Sequence, residues 1–186
     1  MIQTIEIIAM VLGLIQGVLI MFNKRSNWIF YCFQMIALQV FSWRVGLYGD
    51  FINSTIYLFL GVSAYVIWGK GPTRRISISS TRMISLYLLG TTVLTGLLYC
   101  YLVSTKDPLP FMDAISTTTS LLATILMVFR KLDCWIIWLI NDVLYCIEYY
   151  MLPNQATYLM MLNAVWCIMA FISLIKWVRD LTWTLE

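Results

Sequence analysis

The chain has 186 residues, of which 61% are hydrophobic, 15% aromatic and only 11% charged, with a mean hydropathy of +0.84. Soluble domains carry about 25% charged residues to keep their surfaces hydrated, so a cytosolic globular enzyme is excluded. The net charge of +3 argues against nucleic acid as a partner, and the absence of histidine removes the commonest general base and metal ligand.

A bilayer span uses roughly 20 apolar residues, so seven spans would use about 140 positions and leave short loops. Apolar runs bounded by charge or proline predict membrane helices at 4–23, 28–45, 50–68, 83–103, 112–129, 134–152 and 156–176. The first run lacks a basic leader and carries Glu6, so it is read as retained rather than cleaved. The fifth opens on Asp113 followed by Ser116, Thr117, Thr118 and Thr119, and must therefore face protein or water rather than lipid. Pro72, Pro108, Pro110 and Pro153 are all expected between spans. The five cysteines show no Cys-x-x-Cys spacing and are read as buried, unpaired thiols. No cofactor or metal site follows from the sequence.

Charge tests this partition. Lys24, Arg25, Lys70, Arg74, Arg75, Arg82, Arg130, Lys131, Lys176 and Arg179 all fall after spans 1, 3, 5 and 7, leaving Arg44 and Lys106 on the other side. The positive-inside rule then places the N-terminus outside and the C-terminus in the cytoplasm.

The two ends of the chain resemble each other. Phe22, Lys24, Trp28 and Ile29 recur 107 positions later as Phe129, Lys131, Trp135 and Ile136. At the same offset Glu6 matches Asp113, Tyr31 matches Trp138, and Gln34 matches Asn141; by Trp68 and Trp177 the offset is 109. We read one transmembrane domain over 1–186, with repeats at 4–68 and 112–177 and a linker helix at 83–103. An odd linker gives both copies one orientation, a parallel repeat of the kind transporters use, with substrate held where the halves meet.

Span 6 carries the most chemistry. At 100° per residue Trp135, Trp138, Asp142, Tyr145 and Tyr149 share one stripe, with Asn141 and Glu148 beside it. A carboxylate near mid-span is costly unless paired or solvated, which marks Asp142 as functional. Two indoles and an acid suit a flat cationic ring. Asn53, aligned with Tyr57 in span 3, and Asn163 in span 7 could supply hydrogen bonds to its polar groups. Trp68 and Trp177 are expected to anchor the cytoplasmic interface. The Glu6, Gly13 and Gly17 face of span 1 and the Asp113, Thr117, Ser120 and Thr124 face of span 5 read as close helix packing. Arg44, Asp50 and Glu148 read as outer-surface ion pairs.

The stretch Trp135-x-x-Trp138-x-x-x-Asp142, with Gly46-Leu47-Tyr48-Gly49-Asp50 followed by Asn53, Tyr57 and Trp68, resembles the PnuC family of vitamin-precursor transporters. The resemblance implies seven helices arranged three-one-three, similar to full-length SWEET sugar transporters, and assembly as a homotrimer in the bacterial cytoplasmic membrane. It further implies facilitated diffusion of a non-phosphorylated precursor that a cytoplasmic kinase then traps. Gly61 and Ser173 depart from the pattern of the nicotinamide riboside members, so thiamine, riboflavin and deoxyribonucleosides stand as alternative substrates, and proton coupling as an alternative mode. Nicotinamide riboside is the leading substrate and thiamine the second, because both carry a cationic ring. A retinal receptor would need a lysine deep in the last span, and Lys176 lies at its end; no catalytic motif supports a membrane enzyme.

Overall fold

The computed structural model describes residues 2–22, 24–69, 76–152 and 155–183, without the side chains at 182 and 183. They form seven helices: α1 (Ile2–Met21), α2 (Asn27–Val45), α3 (Tyr48–Ile67), α4 (Thr81–Thr105), α5 (Pro110–Val128), α6 (Cys134–Met151) and α7 (Thr157–Trp183). The expected Asn23, Lys70, Pro72, Arg74, Arg75 and Pro153 positions lie outside the described residues.

Each predicted span is a helix, but five rather than seven are long and apolar enough to cross a membrane on those grounds alone. The exceptions are α2, with Asn27, Gln34, Gln39 and Arg44, and α6, with Asn141, Asp142 and Glu148; together they also carry most of the buried tyrosines and tryptophans, and these residues lower their hydropathy. Pro110 lies inside a helix, not between helices: it opens α5, where its missing N–H costs nothing and its fixed φ favours the first turn.

Helix neighbours follow the closed order α1–α2–α3–α5–α6–α7–α1 among the described residues, so six helices form a ring and α4 lies outside it. On α4 only Leu102 is buried; it leans on α5, where the hydroxyls of Thr95 and Thr118 share a 2.6 Å hydrogen bond. At the other extreme α5 has 61% of its span buried, as its hydroxyl-rich sequence demands.

Small residues let the ring close. A Cβ on Gly13 would sit 2.6 Å from the Gln34 amide, 2.9 Å from Leu162 and 3.0 Å from the Trp166 ring, so α1 meets α2 and α7 only because that position is bare. Trp166 Nε1 donates to the Gly13 carbonyl at 3.3 Å across this contact. The span 1 face thus packs as its sequence implies.

Two tryptophan pairs knit the end of the ring at which α6 begins. Trp28 meets Trp68 edge-on at 5.4 Å, and Trp135 meets Trp177 edge-on at 5.3 Å. Trp177 is 1% exposed, a core residue and not the interfacial anchor expected, while Trp68 is half-buried and its indole donates to the Val128 carbonyl. Burial of such a pair is worth about 0.5–1.5 kcal/mol beyond the area it removes from lipid or water. All five cysteines are unpaired, but only Cys134 is fully buried, and Cys100 is exposed on α4.

Candidate functional site

Two cavities lie within the ring and share the side chains of Tyr31, Trp138 and Trp166. The first has about 460 Å³ of empty volume and is lined by Gln16, Trp135, Asp142 and Ser173 among others. The second has about 550 Å³ and reaches Gln34, Asp50, Asn53, Tyr57, Tyr145 and Asn163. The helical stripe of α6 explains the arrangement: Trp135, Trp138 and Asp142 face the first cavity, while Trp138, Tyr145 and Tyr149 face the second.

Of the residues expected at the site, Trp135, Trp138 and Asp142 come together in the first cavity, and Asn53, Tyr57, Tyr145, Asn163 and again Trp138 in the second. Asn141 lines neither; it is fully buried, and its Oδ1 accepts a hydrogen bond from Thr119 of α5. Asn53 donates to Ser120 Oγ at 2.9 Å and to Tyr145 Oη at 3.3 Å, while Asn163 donates to the Leu159 carbonyl at 2.8 Å. Ser120 therefore does more than pack α5 closely, because it fixes the Asn53 amide.

The lining is polar in a particular way. Asp142 Oδ1, the indole nitrogens of Trp135 and Trp138, Ser173 Oγ, both amide atoms of Gln34, and the Oδ1 atoms of Asn53 and Asn163 are buried with no hydrogen-bond partner among the described residues. Each such atom costs about 1–3 kcal/mol if nothing bonds it. Their convergence on two adjoining cavities gives that cost a purpose: donors and acceptors stand ready for a polar guest.

Sequence reasoning left Tyr31, Gln34 and Trp166 out of the site, although all three line a cavity. For Tyr31 the signal was the 107-residue offset that pairs it with Trp138, and for Trp166 its place one turn after Asn163 in span 7; Gln34 had no such signal, because its counterpart Asn141 lines neither cavity.

Asp50 and Glu148 depart further from expectation. They are 6% and 0% exposed, so they are not surface ion-pair partners. Tyr145 donates to Asp50 Oδ1 at 3.0 Å and Tyr149 to Oδ2 at 3.4 Å, while Ser116 donates to Glu148 Oε2 at 2.6 Å. Asp113 completes the group, and one oxygen from each of the three carboxylates lies within 4.8 Å of the others.

Asp113 also holds the start of α3. Its Oδ2 accepts from the Gly49 N–H at 2.7 Å, and a Cβ on Gly49 would fall 2.5–2.7 Å from the three carboxylate atoms. Across the ring, Glu6 Oε2 accepts from the Tyr158 N–H in the first turn of α7, at 3.3 Å. A carboxylate on helix N–H groups is favoured both by hydrogen bonding and by the helix dipole.

No curated protein matches the chain. A crystal structure described as that of the vitamin B3 transporter PnuC shares its fold, with a TM-score of 0.84 at 18% identity over 96% of this chain and 82% of that one. The family model described as nicotinamide mononucleotide transporter matches residues 3–179, nearly the whole sequence. This is a family of membrane transporters, not enzymes, and the chain belongs to it.

Proposed function

We propose that the protein carries a non-phosphorylated, ring-cationic vitamin precursor across the bacterial cytoplasmic membrane by facilitated diffusion, with nicotinamide riboside the first candidate and thiamine the second. The observation that carries this reading is the set of unpartnered polar atoms around Trp135, Trp138 and Asp142. An indole face gains roughly 0.5–2 kcal/mol on a cationic ring, and Asp142 supplies the opposite charge. Asn53, Tyr57, Gln34 and Asn163 are placed to bond hydroxyls or an amide in the adjoining cavity. Although the family is described by a mononucleotide, no lysine or arginine among the described residues lines either cavity, so a phosphate there would meet no counter-charge from them.

A parallel three-one-three repeat supports alternating access. Under the 107–109 offset, Trp28–Trp68 corresponds to Trp135–Trp177, and the Asp113–Gly49 bond corresponds to Glu6–Tyr158. The ring contacts α1–α7 and α3–α5 are interchanged by the same operation. In this reading the N-terminus is outside, the C-terminus is cytoplasmic, three copies assemble, and a cytoplasmic kinase traps the product.

The deciding experiment is a binding panel on the purified protein with nicotinamide riboside, thiamine, riboflavin, deoxyribonucleosides and their phosphates. Tight binding confined to one non-phosphorylated cation supports the reading, whereas preference for a phosphate ester overturns it. In liposomes the same substrate should equilibrate without a gradient, and uphill accumulation driven by protons or sodium would replace diffusion by coupling.

A further inference from the structure

The carboxylates of Asp50, Asp113 and Glu148 come from α3, α5 and α6, and all are buried. Five of their six oxygens accept a hydrogen bond: Asp50 from Tyr145 and Tyr149, Asp113 from Gly49 N–H and Thr117, and Glu148 Oε2 from Ser116. The sixth, Glu148 Oε1, has no partner among the described residues, although Glu148 is 0% exposed. Three neighbouring carboxylates cannot all stay ionised where water is excluded, as paired acids in other buried sites demonstrate.

We infer that Glu148 is a proton-binding site, holding a proton on Oε1 as a neutral carboxylic acid while the outer end of the ring is closed. Asp50 and Asp113 each accept two hydrogen bonds and Glu148 only one, so ionisation is least supported at Glu148 and the proton is assigned there. A metal ion fits less well, because all four aspartate oxygens are already occupied by donors.

The consequence is a gate. Asp50 lies in α3 of one half of the ring, and Asp113 and Glu148 lie in α5 and α6 of the other, so neutralising Glu148 removes a repulsion between the halves. When the outer end opens, the Glu148 O–H bond breaks, the proton passes to water on that side, and the carboxylate left behind repels Asp50 and Asp113. Because the proton exchanges with one side only, it regulates passive transport and does not drive it. The groups facing Glu148 are Asp50 from α3, Asp113 from α5, Tyr145 and Tyr149 on its own helix, and Asp107 from the α4–α5 loop. From α7, the other neighbour of α6, the apolar Leu159 and Leu162 pack against Tyr145 and Tyr149.

The test is infrared spectroscopy of the purified full chain, comparing wild type with Glu148→Gln near neutral pH. The wild type should show a carboxylic-acid C=O stretch that the variant lacks, and superimposable spectra overturn the inference. This readout needs no substrate, so it stands or falls apart from the transport reading. A second measurement is uptake of nicotinamide riboside into proteoliposomes as external pH is raised. Wild-type uptake should rise several-fold as Glu148 loses its proton, while Glu148→Gln should be slow and flat. A flat wild-type profile, or a Glu148→Gln profile that still follows pH, rejects the gate, and the wild-type profile decides alone if the variant does not fold.

Discussion

Replacing Asp142 by asparagine separates charge from shape at the site. Asp142 is 1% exposed, lines the first cavity with Trp135 and Trp138, and has an unpartnered Oδ1. Asparagine keeps the size and one acceptor but removes the negative charge. A cationic ring against the two indoles would lie roughly 5 Å from the carboxylate, which at an effective dielectric of about 20 is worth about 3 kcal/mol. Asp142→Asn should therefore weaken nicotinamide riboside or thiamine on the order of a hundredfold, measured by titration calorimetry on detergent-purified protein. The ligand-free variant should melt no lower than wild type, because asparagine keeps the shape of the side chain and Asp142 Oδ1 has no hydrogen bond among the described residues to lose. Affinity lost and stability retained is the signature of a binding residue. Equal losses for cationic and neutral ligands would show that shape matters and charge does not, and unchanged affinity would remove Asp142 from the site altogether.

Trp138 borders both cavities, so Trp138→Ala should cost about 1–2 kcal/mol of binding, near tenfold, while Trp138→Phe recovers much of it; calorimetry showing no difference between the two would deny ring stacking. Gly49→Ala drives a methyl group into the Asp113 carboxylate and should separate the first turn of α3 from α5, lowering the melting temperature; an unchanged melting curve would contradict that contact. Reporter fusions after Trp68 and at Glu186 should read cytoplasmic and one at Lys106 external, whereas a cytoplasmic signal at Lys106 would reverse the proposed orientation.

Helix positions were legible because lipid imposes a single rule: each span satisfies its own backbone hydrogen bonds over a run of apolar residues. The stripe of α6 was legible for a related reason, since a 3.6-residue period places Trp135, Trp138 and Asp142 together whatever surrounds them. What escaped was contact between helices. Nothing local in Asp50 distinguishes a surface acid from one buried beneath Tyr145 and Tyr149, nor does Trp177 reveal that Trp135 will cover it. Asn141 misled for the converse reason: it flanks the stripe in the helical wheel, but the roughly 80° between it and the centre of the stripe gives it to Thr119 of α5.

The same logic explains why hydropathy alone finds five spans among the seven helices of the described residues. In the ring order α2 and α6 stand three places apart, on opposite sides, and these are the two helices that fall short. Tyr31 and Gln34 from one, and Trp138 and Tyr145 from the other, face the cavity between them. A helix on lipid must be apolar because an unpaired polar group there costs several kcal/mol. A helix that turns its polar stripe inward escapes that cost only in part, as the unpartnered indoles and amides attest. The remainder is offset by the neighbours: α1, α3, α5 and α7 flank the two polar helices and supply the contacts that hold them. Poor hydropathy in α2 and α6 is thus the imprint of the binding cavity on the sequence.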